Sequence, residues 1–356
     1  MLKSIIFVLG LLPTMLFAGQ QQSINRIITF GDSLSDAGNK HLISLYMHQA
    51  TKGIIGIRAM PPNVSARYSN GFTWVDQLNI SLWRQPSTPA LNKIVTPLII
   101  DIDDQAIMYP LSIRALKGTN WAIGGAMAGE GYFVDLDLSK GAELTQGGRI
   151  MPNIGQQIKD FEQSQTHFQP SDLIILQGGT NNLWFTLFGD VAETGSQTAL
   201  KLIRHIKQLR ALGAQHILLM NLPPFQHGAT LHPYADETQR FVDEFNQTLN
   251  DQLPQFTPQQ NRPSNVYLLD VHRIFTDMIH SIQTKGSFTH APTQVEINYI
   301  LKPAWDWVNN KVADKANEHA FWDGLHPSAS LHRLFAYEAE QLLSENDIHF
   351  ATKHAK

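Results

Sequence analysis

The chain has 356 residues, 43% of them apolar and 16% charged, which suits a large globular unit and excludes disordered and fibrous classes. A formal charge of −4 with no run of basic residues disfavours a nucleic-acid partner. Cysteine is absent, which removes disulfides, thiolate metal sites, cysteine nucleophiles and a lipid-modified cysteine together.

The chain opens with Lys3, an apolar run over residues 5–12, and Leu16-Phe17-Ala18-Gly19, where a small residue offers a cleavage point. This pattern predicts a secretory signal peptide over residues 1–18 and hence export to the periplasm or beyond the cell. A buried first helix or a retained anchor fits less well, because Pro13 interrupts a run far short of the roughly 18 residues that span a bilayer.

Arg26-Ile27-Ile28-Thr29-Phe30 reads as a strand that breaks into Gly31-Asp32-Ser33. Residues 84–117 hold four prolines and no clean period. Gly118-Thr119-Asn120-Trp121-Ala122 is a weaker second strand. The run from Ser171 to Gln177 ends at Gly178-Gly179, and His216-Ile217-Leu218-Leu219-Met220 and Val266-Tyr267-Leu268-Leu269 follow the same grammar. Near-continuous apolar runs of this length suit parallel strands covered on both faces. Between them Ala199, Leu202, Ile203, Ile206, Leu209 and Leu212 recur at helical spacing, with Gly213 as a C-cap. Residues 281–320 again lack a strand signal, and Ser328 can cap a helix over 329–343. Strands alternating with helices predict an α/β fold with a parallel sheet. We expect one domain over 19–356, with insertions near 84–117 and 281–320.

Chemistry concentrates at two places. Ser33, at the abrupt end of a strand, lies where open α/β sheets bind ligands. A serine hydroxyl needs a base and an orienting third group to act as a nucleophile; by itself Ser33, or Asp36, could equally start a helix. Among 15 histidines, His280 and His326 each follow an aspartate by three residues. Asp277 and His280 read as a helix-surface pair. In Asp323-Gly324-Leu325-His326-Pro327-Ser328 glycine and proline force a loop, in which an acid can fix an imidazole tautomer.

Residues 30–39 with Asp323 and His326 resemble the GDSL, or SGNH, family of serine esterases and lipases, in particular its secreted bacterial lysophospholipase and acyltransferase branch. Arg67 to Trp74 resembles the segment between the first two family blocks, Asn120 to Ala126 the second block, Gly178-Gly179-Thr180-Asn181-Asn182 the third, and Phe321 to Pro327, with His332 beyond, the fifth. The resemblance implies a flavodoxin-like three-layer α/β/α sandwich with a five-stranded parallel sheet. It implies Ser33 as nucleophile, His326 as base and Asp323 as the group that orients it. It also implies an oxyanion hole made by the backbone N–H groups of Ser33 and Gly125 and the side-chain amide of Asn181, with Gly124 a one-residue alternative to Gly125. The third block commonly carries Asp where Asn182 stands, which puts the supporting shell in question.

Asp32 and Asp36 read as structural supports of the turn, and His332 as a packed or surface histidine. Trp74, Trp83, Trp184 and Phe185 read first as core, with Trp184 favoured for substrate contact because it follows Asn181. No metal motif is present and no cofactor is expected. The substrate expected is a lipid or small acyl ester such as a lysophospholipid, with peripheral lipid or membrane contact as a further partner to test. Acyl transfer to an alcohol such as a sterol, a carbohydrate-acetyl esterase and a non-catalytic secreted binding protein remain as alternatives.

Overall fold

A computed structural model describes residues 23–351 except 135, 137, 140, 147–149, 190 and 257–264. The signal segment expected over 1–18 lies outside the described residues.

Four strands, β1 (Arg26–Phe30), β2 (Asp172–Leu176), β3 (His216–Met220) and β4 (Asn265–Leu269), lie side by side in the order β4-β3-β2-β1, all parallel. The apolar runs form them because every residue of β2 and β3 is buried, as parallel strands covered on both faces require. The fifth position is filled beyond β1. Thr119 and Trp121 exchange backbone hydrogen bonds with Thr29, and Ile123 donates to Gly31, so this weakly patterned segment joins the sheet as a bridge at Asn120. With it the order becomes that of a flavodoxin-like sheet, in which the chain reverses direction between β1 and β2.

Helices cover both faces of the sheet in three layers. Helix Trp74–Trp83 packs against Ala329–Glu345, and Gly195–Ala211 against Ala235–Gln252. Ser328 caps its helix by accepting from Leu331 N–H, and Gly213, at φ +100°, follows the end of Gly195–Ala211. Most of the buried apolar side chains among the described residues form one continuous cluster.

The segment 84–117 differs from its sequence reading. It builds a nine-residue hairpin, Ile94–Ile102 against Gln105–Ile113, whose first strand also pairs with Ala142–Gln146. Pro97 and Pro110, which mask the alternation, face each other across the hairpin. Both missing N–H groups therefore fall at one non-hydrogen-bonded pair, and the ladder survives. Residues 281–320 contribute short antiparallel pairs, among them Trp305–Asp306 with Lys311–Val312.

Candidate active site

Each side chain of the site hangs from the carboxyl end of a strand or from the entrance of a helix. The turn after β1 carries Ser33, and that after β2 carries Asn181 through Gly179, whose φ of +112° favours glycine. These two strands flank the point where strand order reverses, the crevice in which open α/β sheets bind ligands. Asp323 and His326 arrive from the loop ahead of Ala329–Glu345, anchored where Trp322 N–H donates to His326 O.

Ser33 Oγ lies 2.9 Å from His326 Nε2, and His326 Nδ1 lies 2.8 Å from Asp323 Oδ2. Asp323 Oδ1 accepts the N–H groups of Leu325 at 2.9 Å and His326 at 2.7 Å, so the carboxylate is held as an acceptor. The network therefore assigns the proton to Nδ1 and leaves Nε2 free to accept from Ser33. Burial works to raise the Asp323 carboxyl, but the charge and hydrogen bonds of His326, with Leu325 N–H, hold it below its ordinary value. Burial likewise disfavours a charged His326, yet the Asp323 carboxylate and its hydrogen bond, with Asp32 behind, bring the ring above its ordinary value.

The three expected oxyanion donors line the same cleft, of about 430 Å³, together with the triad. The choice between the two glycines follows from hydrogen bonding. Gly124 N–H donates to Asp36 Oδ2 at 2.9 Å and is spent, whereas Gly125 adopts φ +91° and faces the cleft. Among the described residues neither Ser33 N–H nor Gly125 N–H has an acceptor. Asn181 gives one amide proton to Ala126 O at 3.0 Å, which leaves its second for an oxyanion.

Asn182 is fully buried, and both of its amide atoms are engaged. Its Oδ1 accepts Ala128 N–H at 2.8 Å and its Nδ2 donates to Glu193 Oε2 at 3.0 Å, while Lys201 Nζ lies 2.6 Å from the other Glu193 oxygen. Asp36 accepts the N–H groups of Gly38, Asn39 and Lys40 as well as Gly124, so it holds the helix Asn39–Ala50 and the oxyanion loop together. Asp32 accepts Leu34 N–H at 3.0 Å, and burial pushes its carboxyl up to about 6.

The remaining sequence candidates sort by position. Trp74 is core, with its indole N–H on Ser35 Oγ, and Trp83 packs near Phe350. Trp184 lines the cleft, and so does Phe185, which the sequence had placed in the core. His332 is buried and accepts Trp74 N–H at 3.2 Å; burial pushes it down to about 3. Asp277 lies on an exposed helix face, as expected, but its partner there is Arg273, at 3.2 Å, in place of the expected His280. Tyr68, Trp305 and Trp307 line the cleft unanticipated. Tyr68 stands inside the Arg67–Trp74 stretch already noted, but Trp305 and Trp307 come from a segment without a readable period. Among the described residues no cluster could hold a metal ion and no helix is long and apolar enough to cross a membrane.

Fold and site together define a serine hydrolase acting on ester bonds. The chain belongs to the GDSL-like lipase/acylhydrolase family, whose model matches residues 27–339. It is 24% identical over 348 residues to the thermolabile hemolysin of Vibrio parahaemolyticus, covering 93% of this chain and 66% of that protein. It thus spans just under two thirds of the hemolysin. It is 24% identical over 307 residues to the phosphatidylcholine-sterol acyltransferase of Aeromonas hydrophila, covering 85% of this chain and 75% of the other. Among solved structures, a member of the lipolytic G-D-S-L family from Veillonella parvula aligns with TM-score 0.41 at 12% identity, over 90% of this chain and 98% of that one.

Proposed function

We propose that the protein is an exported ester hydrolase of lipid or small acyl esters, of lysophospholipase or phospholipase A type, working through an acyl-enzyme on Ser33. The observation that carries the reading is the unbroken chain Ser33 Oγ to His326 Nε2 at 2.9 Å and His326 Nδ1 to Asp323 Oδ2 at 2.8 Å, facing the Ser33 and Gly125 N–H groups, which have no acceptor among the described residues, and the second amide proton of Asn181. Ser33 Oγ attacks the ester carbonyl as His326 Nε2 takes its proton. The carbonyl oxygen becomes an oxyanion held by Ser33 N–H, Gly125 N–H and Asn181 Nδ2, each well-placed donor commonly worth about 3 kcal/mol. Collapse breaks the bond to the leaving alcohol, which receives the proton from His326. Water, deprotonated by the same ring, then releases the acid. Asp323 keeps the imidazole in the required tautomer and stabilises its charged form throughout.

A lipid substrate is favoured by the aromatic lining of Tyr68, Trp184, Phe185, Trp305 and Trp307, which suits an acyl chain. Export is a reading of the first 18 residues alone. The name of the Aeromonas relative favours a second outcome at the same site, in which an alcohol such as a sterol takes the acyl group instead of water. No observation favours the carbohydrate-acetyl or the non-catalytic reading.

The test is hydrolysis of a chain-length series of acyl esters, an acetylated sugar among them, by wild type and Ser33→Ala. A loss of at least about a thousandfold is expected, and equal rates would sink the proposal. Incubation with a lysophospholipid, with and without a sterol, separates the two outcomes: a sterol ester among the products establishes transfer, and free fatty acid alone rejects it for that acceptor.

A further inference from the structure

Apolar side chains gather at the mouth of the cleft on two separate elements. On one, the short hairpin Trp305–Asp306 with Lys311–Val312 turns through Trp307 and Val308, which are 68% and 72% exposed. A tryptophan this exposed is uncommon, since the residue is normally largely buried. The turn is built to present the pair. Asp306 Oδ1 accepts the N–H groups of Val308 and Asn309, both at 3.1 Å, and Trp305 anchors the base by stacking on Trp322 with ring centroids 5.6 Å apart. On the other element Phe188, 42% exposed, packs on Trp184 at 4.6 Å and on Tyr234 at 5.0 Å. Trp184 and Trp307 belong to the cleft lining itself, so the exposed apolar surface is continuous with the path to Ser33.

We infer that this rim, with Val308 and Phe188 at its two ends, seats the enzyme on the surface of a zwitterionic phospholipid aggregate. The inference rests on the lipid-ester reading above. The occupant follows from the continuity of surface and cleft. A protein seated on these side chains would close the route to Ser33, whereas a lipid surface delivers an ester into it. Charge narrows the kind of surface. Over residues 301–320, Lys302, Lys311 and Lys315 are balanced by Asp306, Asp314 and Glu318, so this segment carries no net attraction for an anionic membrane. Docking rests on apolar insertion and aromatic placement at the headgroup level.

The experiment separates docking from catalysis. Full-length Ser33→Ala protein is sedimented with phosphatidylcholine vesicles at low and at high salt, alone and with Val308→Asp or Phe188→Ser added. Partition that persists in high salt, and that falls about tenfold in each added variant, is expected. In the active enzyme the same two substitutions should slow hydrolysis of vesicle lipid by a similar factor and leave hydrolysis of a monomeric short-chain ester unchanged. Unaltered partition in both variants overturns the inference, as does binding that requires anionic lipid and fades with salt. An enzyme that cleaves no ester while its Ser33→Ala form still binds vesicles refutes the catalytic reading and leaves the docking surface standing.

Discussion

Asn182 and Glu193 form a part-buried pair in which the amide Nδ2 donates to the carboxylate Oε2 at 3.0 Å, and the pair accounts for an amide at the position where the family resemblance implies an acid. The amide oxygen accepts Ala128 N–H, and an aspartate could do that equally well. Only an amide can also donate to Glu193. The negative charge that an aspartate would bring to position 182 is already present one side chain further out, balanced by Lys201. Through Asn182 the pair holds Ala128, in the loop that carries Gly125, and Asn182 itself adjoins Asn181, the proposed third oxyanion donor.

Asn182→Asp therefore sets two carboxylates against each other at hydrogen-bond distance, a repulsion that protonation of the pair relieves. We expect kcat to fall about tenfold at pH 8 with KM little changed, and the loss to shrink as the pH is lowered. Adding Glu193→Gln restores an amide–carboxylate pair with the roles exchanged, and the double variant should recover most of the rate. Kinetics across pH in the three proteins check this; a double variant no better than the single would show that Glu193 plays no part.

Asp32 bears on the pH dependence of the reaction. Its charged form, populated above about 6, helps to hold His326 above its ordinary value, and His326 must be neutral to accept the Ser33 proton. Removing that charge lowers the His326 pKa, so the acid limb of kcat against pH should move to lower pH in Asp32→Asn. A limb that stays in place or moves upward contradicts the assignment.

His332 and Asp32 should load the folding equilibrium in opposite directions. His332 is pushed down to about 3 from 6.5, so the unfolded chain binds the extra proton between those values and stability rises with pH across that window. Asp32 is pushed up to about 6 from 3.8, so the folded chain holds the extra proton there and stability falls as pH rises. The two slopes oppose each other between roughly pH 4 and 6. His332→Asn keeps an acceptor for Trp74 N–H and removes one slope. Relative to wild type it should gain about 2 kcal/mol on going from pH 7 to pH 5, as read by denaturant unfolding.

Tyr68 supplies a fourth test. Its ring stacks on His326 with centroids 5.1 Å apart and an interplanar angle of 25°, and a Cβ added at Gly124 would come within 2.6 Å of Tyr68 Cε2. Gly124→Ala must displace the ring or the oxyanion loop, so kcat should drop by about tenfold or more while the protein remains folded. Circular dichroism together with steady-state kinetics reads both.

The parts legible in sequence are those in which one local rule decides. Continuous apolar runs announced β1 to β4, and Asp323-Gly324-Leu325-His326-Pro327 announced a loop able to hold an imidazole. The hairpin of 94–113 escaped because Pro97 and Pro110 read as breakers until their mutual pairing is seen. The strand at Asn120 was faint because it needs only a few hydrogen bonds to Thr29 and Gly31. Glu193 joins the site through a contact across the fold that no short motif encodes. Trp305 and Trp307 face the cleft because of a two-residue ladder too short to leave a period.

One carboxylate, Asp36, accepts the first N–H groups of the helix Asn39–Ala50 and also that of Gly124. The interval between the nucleophile's turn and the oxyanion loop is thereby set by a single rigid spacer in the protein interior. Trp184 and Phe185 line the cleft from the helix that also carries Asn181, whereas Trp305 and Trp307 line it from a separate hairpin. One wall of the cleft is thus tied to the reacting groups, while the hairpin wall of Trp305 and Trp307 stands apart from that spacer and can be re-cut with the reacting atoms keeping their spacing.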